Sequence, residues 1–190
     1  MAENKIQLTK ADRKKVCFRH QFLQGSWNYE RMQNGGWCFA MIPAIKKLYT
    51  SKDDQIAALK RHLEFYNTHP YVSAPVIGVT LALEEERANG APIDDVAIQG
   101  VKVGMMGPLA GVGDSLLMTM IPTIMGSIAA YMAIEGNPVG AGIWFALILA
   151  IFWVRMHALE FGYKQGVKLV TDFSEKLPNL TAAASVLGLT

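Results

Sequence analysis

The chain has 190 residues, 51% hydrophobic and 18% charged, with a formal net charge of +2. That is one domain-sized unit, apolar and short of charge against the usual quarter or so, and the near-neutral balance gives no reason to expect nucleic acid. Its two cysteines, Cys17 and Cys38, have no metal-like spacing; they argue against a disulfide framework and suit a reducing compartment.

Met1 to Asp12 is polar and lacks the apolar core of a secretory signal. Thr9-Lys10-Ala11-Asp12 is a capping-box pattern. It opens a basic helix in which Lys10, Arg13, Lys14, Lys15 and Arg19 interleave with Val16, Phe18 and Phe22. Such a helix lies on an anionic membrane face or is simply solvated, and either way its charge favours a cytoplasmic N-terminus. Gln24 to Arg31 follows, dense in groups that donate and accept hydrogen bonds and mixed with Trp27 and Tyr29. Sugar recognition needs that mixture: amides and carboxylates for hydroxyls, an aromatic face for the ring. A capped helix start with interfacial aromatics reads the same way.

Ser51-Lys52-Asp53-Asp54 is a second capping box. Its helix carries Ile56, Leu59, Leu63 and Tyr66 along one side, and Asn67 extends the row before Thr68-His69-Pro70 stops it. Glu84 to Arg87, ended by Asn89-Gly90, reads as a solvated helix end and turn.

Four uncharged runs interrupt this polar framework: Gly35 to Ile45, Tyr71 to Leu83, Val103 to Ile134 (uncharged except for Asp114), and Val139 to Val154. A simple membrane helix needs about 20 apolar residues. Only Ser115 to Ile134 reaches that length, and Pro122 should kink it. Four such runs predict an all-α integral membrane protein with broken or re-entrant helices and amphipathic interfacial ones. In Gly107-Pro108-Leu109-Ala110-Gly111-Val112-Gly113-Asp114, the glycines predict a loop or helix break at membrane depth. A lone carboxylate there costs roughly 3 kcal/mol on insertion scales. Asp114 is thus expected to face a polar cavity, or else to bond its own loop.

Gly113-Asp114-Ser115-Leu116 also spells the opening block of GDSL esterases, which would make Ser115 a nucleophile. That chemistry needs a histidine base held by an aspartate. His157 is the last histidine, and Arg155-Met156 precede it with no such aspartate. No Walker loop, dinucleotide fingerprint or clustered metal ligands are present, and His20, His62, His69 and His157 are scattered. No cofactor is expected, and no catalytic residue.

The stretches Gln24 to Gln33, Ile42 to Tyr49, Arg61 to Pro70, Gly78 to Glu85 and Gly107 to Asp114 together resemble the IID subunit of mannose-family sugar phosphotransferase systems, in family order. Ser115-Leu116-Leu117 departs from the proline and aromatics common there, and family members continue past Leu187, so the chain looks truncated. The resemblance implies a subunit in the bacterial inner membrane, paired with a IIC subunit as a trimer of pairs. A hexose such as mannose or glucose enters between them and is phosphorylated by a cytosolic IIB (IIAB) donor. Some relatives serve as bacteriocin receptors. On this reading residues 1–100 hold the interfacial and sugar-site helices, and 101–190 the Gly-rich loop and membrane helices. The candidate sugar contacts are Gln24, Ser26, Trp27, Asn28 and Glu30, with Asn67 and Asp114. A structural membrane scaffold without ligand contacts is the remaining alternative.

Overall fold

The structure, a computed structural model, describes residues 5–187 and the side chains of residues 5–166 and 168. Seven α-helices run in order: α1 (Lys10–His20), α2 (Asn34–Leu48), α3 (Lys52–His62), α4 (Ala74–Ala88), α5 (Asp95–Val112), α6 (Ile121–Ile134) and α7 (Val139–Leu187). A π-helical segment, Gly113–Met120, joins α5 to α6 without a gap. No strand occurs among the described residues; the extended pairing is limited to isolated bridges Asn28–Met32 and Met32–Tyr66. The all-helical expectation holds.

Helices α1 to α4 form a body around Trp37, Met41, Ile45, Tyr66, Ile77 and Leu81, all fully buried. Local chemistry starts its helices. Thr9 and Asp12 make the capping box on α1. Ser51 accepts from the Asp54 amide to start α3, and Asp94 accepts from the Ala97 amide to start α5. Gly36 has no Cβ because the Leu23 backbone occupies that space, which seats α2 against the end of α1.

Two sequence expectations fail here. Helix α3 ends at His62, so the row through Leu63, Tyr66 and Asn67 does not form; Ile56 and Leu63 are exposed while Ala58, Arg61 and His62 are buried. Glu84 and Glu85, expected in solvent, are also buried. Ionic pairing outranks the apolar row. Arg61 Nε donates to Glu84 Oε1 at 2.7 Å and its Nη2 to Glu84 Oε2 at 3.1 Å, a bidentate pair. Tyr49 donates to the same carboxylate at 2.7 Å. Trp37 Nε1 donates to His62 Nδ1 at 3.4 Å, so the ring hydrogen lies on Nε2, 3.0 Å from Glu84 Oε1 in a close but poorly aligned contact. Glu85 accepts from the Leu8 amide at 2.6 Å and from Tyr163 at 2.7 Å, tying the N-terminal segment to α7. Breaking a buried pair such as Arg61–Glu84 costs about 3–5 kcal/mol, because the remaining charge is left without a partner.

These groups set an acid dependence. Burial would raise the Glu84 carboxyl, but its contacts with His62 and Arg61 outweigh burial and bring it down to about 2. Burial pushes His20 down to about 3, with the Arg155 charge adding to the effect; its Nε2 meets Ser73 Oγ at 2.6 Å. Both are depressed in the fold. Each contribution is therefore complete above the group's ordinary value, near 6.5 for His20 and 4.5 for Glu84, and is lost as pH falls through the folded value.

The remaining helices project from this body. Asp95–Ile134 is 40 residues long and holds an 18-residue stretch of mean hydropathy 1.6, and Val139–Gly166 is 28 residues long and holds one of mean hydropathy 2.0. Both are long enough to cross a bilayer, and they leave Met118, Tyr131, Phe145 and Trp153 exposed. Gly107 to Asp114, expected as a loop or a break, is helical throughout, with Pro108 inside α5. The interruption takes the form of a widened π turn starting at Gly113, a device that re-aims side chains without freeing the backbone. Between α6 and α7, Gly136 adopts φ 74° and its amide returns to the Ala133 carbonyl at 3.0 Å; the Asn137 amide returns to Met132 at 2.9 Å.

Helix α7 is held to the body mainly by α4. Where they cross, a Cβ on Gly78 would strike the Leu159 carbonyl, one on Gly162 the Pro75 carbonyl, and one on Gly166 the Val79 backbone. Small residues at such a crossing let two backbones approach closely. Gly162→Ala is expected to lower stability by about 1–3 kcal/mol through overpacking. Gly142→Ala, with open space around it, should be close to neutral; melting the two variants in detergent compares them. An unfolding series across pH should lose stability between about 6.5 and 3, at up to about 1.4 kcal/mol per pH unit for one group, and His20→Gln should flatten that slope.

Candidate functional site

Between α1 and α2 the chain makes a tight polar loop whose geometry Asn28 organises. Asn28 Oδ1 accepts from the Glu30 and Arg31 amides at 3.1 and 2.8 Å, and Nδ2 donates to Asn34 Oδ1 at 2.9 Å. Asn28 and Met32 exchange both backbone bonds, at 3.1 and 3.0 Å. Met32 takes φ 56°, a left-handed conformation that this closed ring of bonds imposes.

A second segment zips onto this loop. The Gln33 amide donates to the Tyr66 carbonyl at 2.9 Å. The Gln33 side chain donates to the Thr68 carbonyl at 2.8 Å and accepts from the Thr68 amide at 3.2 Å. Asn34 Nδ2 reaches the Leu63 carbonyl at 2.8 Å. Residues 63–68 are thereby held beside the loop in non-helical conformation, which is the physical reason α3 cannot continue into them. The same segment then seats on α5. Thr68 Oγ1 donates to the Met106 carbonyl at 3.0 Å, and the Asn67 amide lies 3.0 Å from Met106 Sδ. Two turns further on, Gly113 lacks a Cβ where the His69 side chain sits.

Three stretches far apart in sequence, around residues 24–34, 63–69 and 106–114, therefore meet. All seven predicted site residues lie on or beside them. Their side chains differ in availability. Asn28 is spent inside the loop. Ser26 packs over Gly35, where its Oγ takes the place of a Cβ. Gln24, Glu30, Asn67 and Asp114 are exposed, and Glu30 touches its neighbour Arg31 at 3.3 Å. Trp27 is 43% exposed and stands edge-to-face with Tyr29, ring centroids 4.8 Å apart. None of the seven side chains bonds another's side chain among the described residues.

The sequence reading missed the residues that assemble the site: Gln33, Asn34, Thr68 and His69, all buried. Gln33, Thr68 and His69 stood inside the quoted motifs, but helix periodicity carried Asn67 onto α3 and hid their role. Burial lowers the His69 pKa, while the nearby Asp114 charge pulls it upward. Its Nδ1 accepts from the Tyr71 amide at 3.3 Å, which leaves Nε2 carrying the hydrogen in the neutral ring. Ser115 lies in the π segment, on a helix with no strand-to-helix elbow around it. His157 Nδ1 is bonded to the Trp153 carbonyl of its own helix at 2.8 Å. The esterase reading is not supported. Among the described residues no group of three or more His, Cys, Asp or Glu side chains could hold a metal.

A compact helical body, a polar double segment at its surface and two bilayer-length helices define a helical membrane component. The profile of the PTS system mannose/fructose/sorbose family IID component matches residues 7–190, and the chain belongs to that family. It is 47% identical over 186 residues to the mannose-specific EIID component of Escherichia coli K12, across 96% of this chain and 66% of that protein. It is 47% identical to the sorbose-specific EIID component of Klebsiella pneumoniae (96% and 68% covered) and 43% identical to the fructose permease IID component of Bacillus subtilis (98% and 69%). Among solved structures, a chain of the mannose transporter ManYZ in complex with microcin E492 superposes with a TM-score of 0.84 at 47% identity, over 96% of this chain and 68% of that one. The chain thus spans about two thirds of the length of the relatives it matches.

Asn28→Ala should loosen the loop without unfolding the body. Losing a bond of roughly 1–1.5 kcal/mol predicts about tenfold faster amide hydrogen exchange at Arg31, with exchange in α2 unchanged.

Proposed function

We propose that this chain forms, with a IIC membrane partner, the sugar-binding and translocation site of a mannose-family phosphotransferase permease, and that a cytosolic IIB protein phosphorylates the sugar. The chain itself carries no phosphoryl group in this scheme. The observation that supports it best is the zipping of the Gln24–Asn34 loop onto residues 63–68 and Met106. A rigid polar surface is presented beside a membrane helix, where a sugar must exchange water for protein hydrogen bonds. Trp27 offers a face for the sugar ring's C–H side. Glu30, Gln24 and Asn67 offer hydroxyl partners, and a carboxylate accepting from hydroxyls makes the stronger, charge-assisted kind of bond. Asn28 and Ser26 act through the loop's shape as much as by direct contact. Asp114, beside the kink that Gly113 permits, supplies a second carboxylate at membrane depth, where an unneeded charge would be costly.

Relatives specific for mannose, sorbose and fructose support a hexose substrate. The scheme assembles three IIC–IID pairs, with the N-terminus of this chain in the cytoplasm. The ManYZ–microcin complex supports a further role for this chain as a bacteriocin receptor.

Sugar-uptake assays on the assembled complex test the proposal. Glu30→Gln and Asp114→Asn are each expected to weaken sugar affinity about tenfold or more, as loss of a charge-assisted bond of roughly 1.5–3 kcal/mol implies. Ser115→Ala should be nearly silent. Normal uptake by both carboxylate variants, or an acid-labile phosphate recovered on this chain during turnover, would overturn the reading.

A further inference from the structure

The outer face of α1 and the turn after it carry charge and aromatic rings with few partners in the fold; Arg19 Nη1 donates to the Phe39 carbonyl at 3.3 Å. Val16, Cys17 and His20 point into the core, whereas Lys14, Lys15, Phe18 and Phe22 face outward. Phe18 and Phe22 stack edge-on with centroids 5.9 Å apart, and Phe22 continues onto Phe39 of α2 at 6.5 Å. Arg19 lies over the Phe39 ring, 4.7 Å from its centroid. Lys14, Lys15, Phe18 and Arg19 line a surface groove of about 340 Å³, closed on one side by Pro43. The acidic neighbour, Asp12, caps Thr9 and pairs loosely with Lys15 at 3.9 Å, so one carboxylate faces three cations and the groove is net positive.

The contacts of α1 with α7 set its level in the membrane. Arg13 pairs with Glu160 at 2.7 Å, Cys17 Sγ meets the Met156 carbonyl at 3.4 Å, and Arg155 Nη2 donates to the His20 carbonyl at 3.1 Å. Passing from Arg13 to His20 thus leads down α7 toward the end of its apolar run at Val154. The rings of Phe18 and Phe22 lie at the hydrocarbon end and the two lysines at the water end. Lys14 and Phe18 are four residues, about 6 Å, apart along the helix axis, and Phe22, in the turn that follows α1, packs against Phe18. Trp153 and Val154 of α7, at the same level, are also exposed.

We propose that this face binds one anionic phospholipid, its phosphate among Lys14, Lys15 and Arg19 and one acyl chain along Phe18, Phe22 and Phe39. Charge alone would take any anion, and rings alone any lipid; the two in this order select a lipid with a net negative headgroup. Such a site fixes the depth and tilt of α1, and through Arg13–Glu160 the position of α7. The inference depends on the membrane placement and not on the sugar site.

Native mass spectrometry of the intact complex in detergent, titrated with short-chain phosphatidylglycerol and separately with phosphatidylcholine, tests it. The complex should retain phosphatidylglycerol preferentially. Lys14→Gln with Lys15→Gln should weaken that binding about thirtyfold, at roughly one lysine's worth of surface attraction each. Phe18→Ala with Phe22→Ala should weaken it with every charge in place. Soluble glycerol phosphate should displace little. Equal retention of the two lipids, or unchanged binding by the double lysine variant, overturns the proposal. Full displacement by glycerol phosphate also overturns it, in favour of a plain anion site. Melting in phosphatidylcholine nanodiscs should be the same for wild type and the lysine variant, which separates lost lipid binding from lost folding; sugar uptake, measured alongside, reports on the sugar site independently.

Discussion

The close crossing of α4 and α7 is the constraint on which the rest of the structure depends. Backbone meets backbone there because Gly78, Gly162 and Gly166 carry no side chain. One partner is the most buried helix of the body, the other a helix long and apolar enough to span a bilayer. Their contact makes the body and the membrane region one object, so a loop on the body has a defined position relative to the membrane helices. Ionic ties at the edges add direction: Arg13 to Glu160, and Tyr163 to Glu85.

The polar interior of the body follows from the same arrangement. A carboxylate such as Glu84, with no exposed surface, survives burial because Arg61 and Tyr49 satisfy both its oxygens. Arg61 reaches it because α3 turns its polar side inward. Past His62 the chain leaves the helix and pairs with the Gln24–Asn34 loop through Gln33 and Asn34. The buried ion pair and the polar loop thus hold adjoining parts of one chain segment, although the two share no residue.

Candidate ligand-binding groups and their supports are, apart from Asn28, different residues. Asn28, Gln33, Asn34 and Thr68 spend their hydrogen bonds holding two segments together. Trp27, Glu30, Asn67 and Asp114 are left exposed. A rigid backbone beneath exposed side chains lowers the entropy lost on binding a small polar ligand. It also places the π segment, which rotates side chains relative to an α-helix, directly beneath His69.

By itself the sequence determined the helical class, the caps at Thr9 and Ser51, the membrane character of the apolar runs, and the family blocks from which the candidate site residues were drawn. Those features are local: hydrophobic run length, capping chemistry and motif order act within one or two turns of chain. Only the tertiary structure decided that Glu84 and Glu85 are buried, that Asn67 leaves its helix, and that Gly107 to Asp114 stays helical with a π turn in place of a loop. Each of these depends on a partner distant in sequence: Arg61 for Glu84, Tyr163 and Leu8 for Glu85, Gln33 and Asn34 for residues 63–68, His69 for Gly113. Periodicity assigns a residue to a face of its own helix, but whether that face meets water, a counter-charge or another backbone depends on packing between segments that the linear pattern does not order.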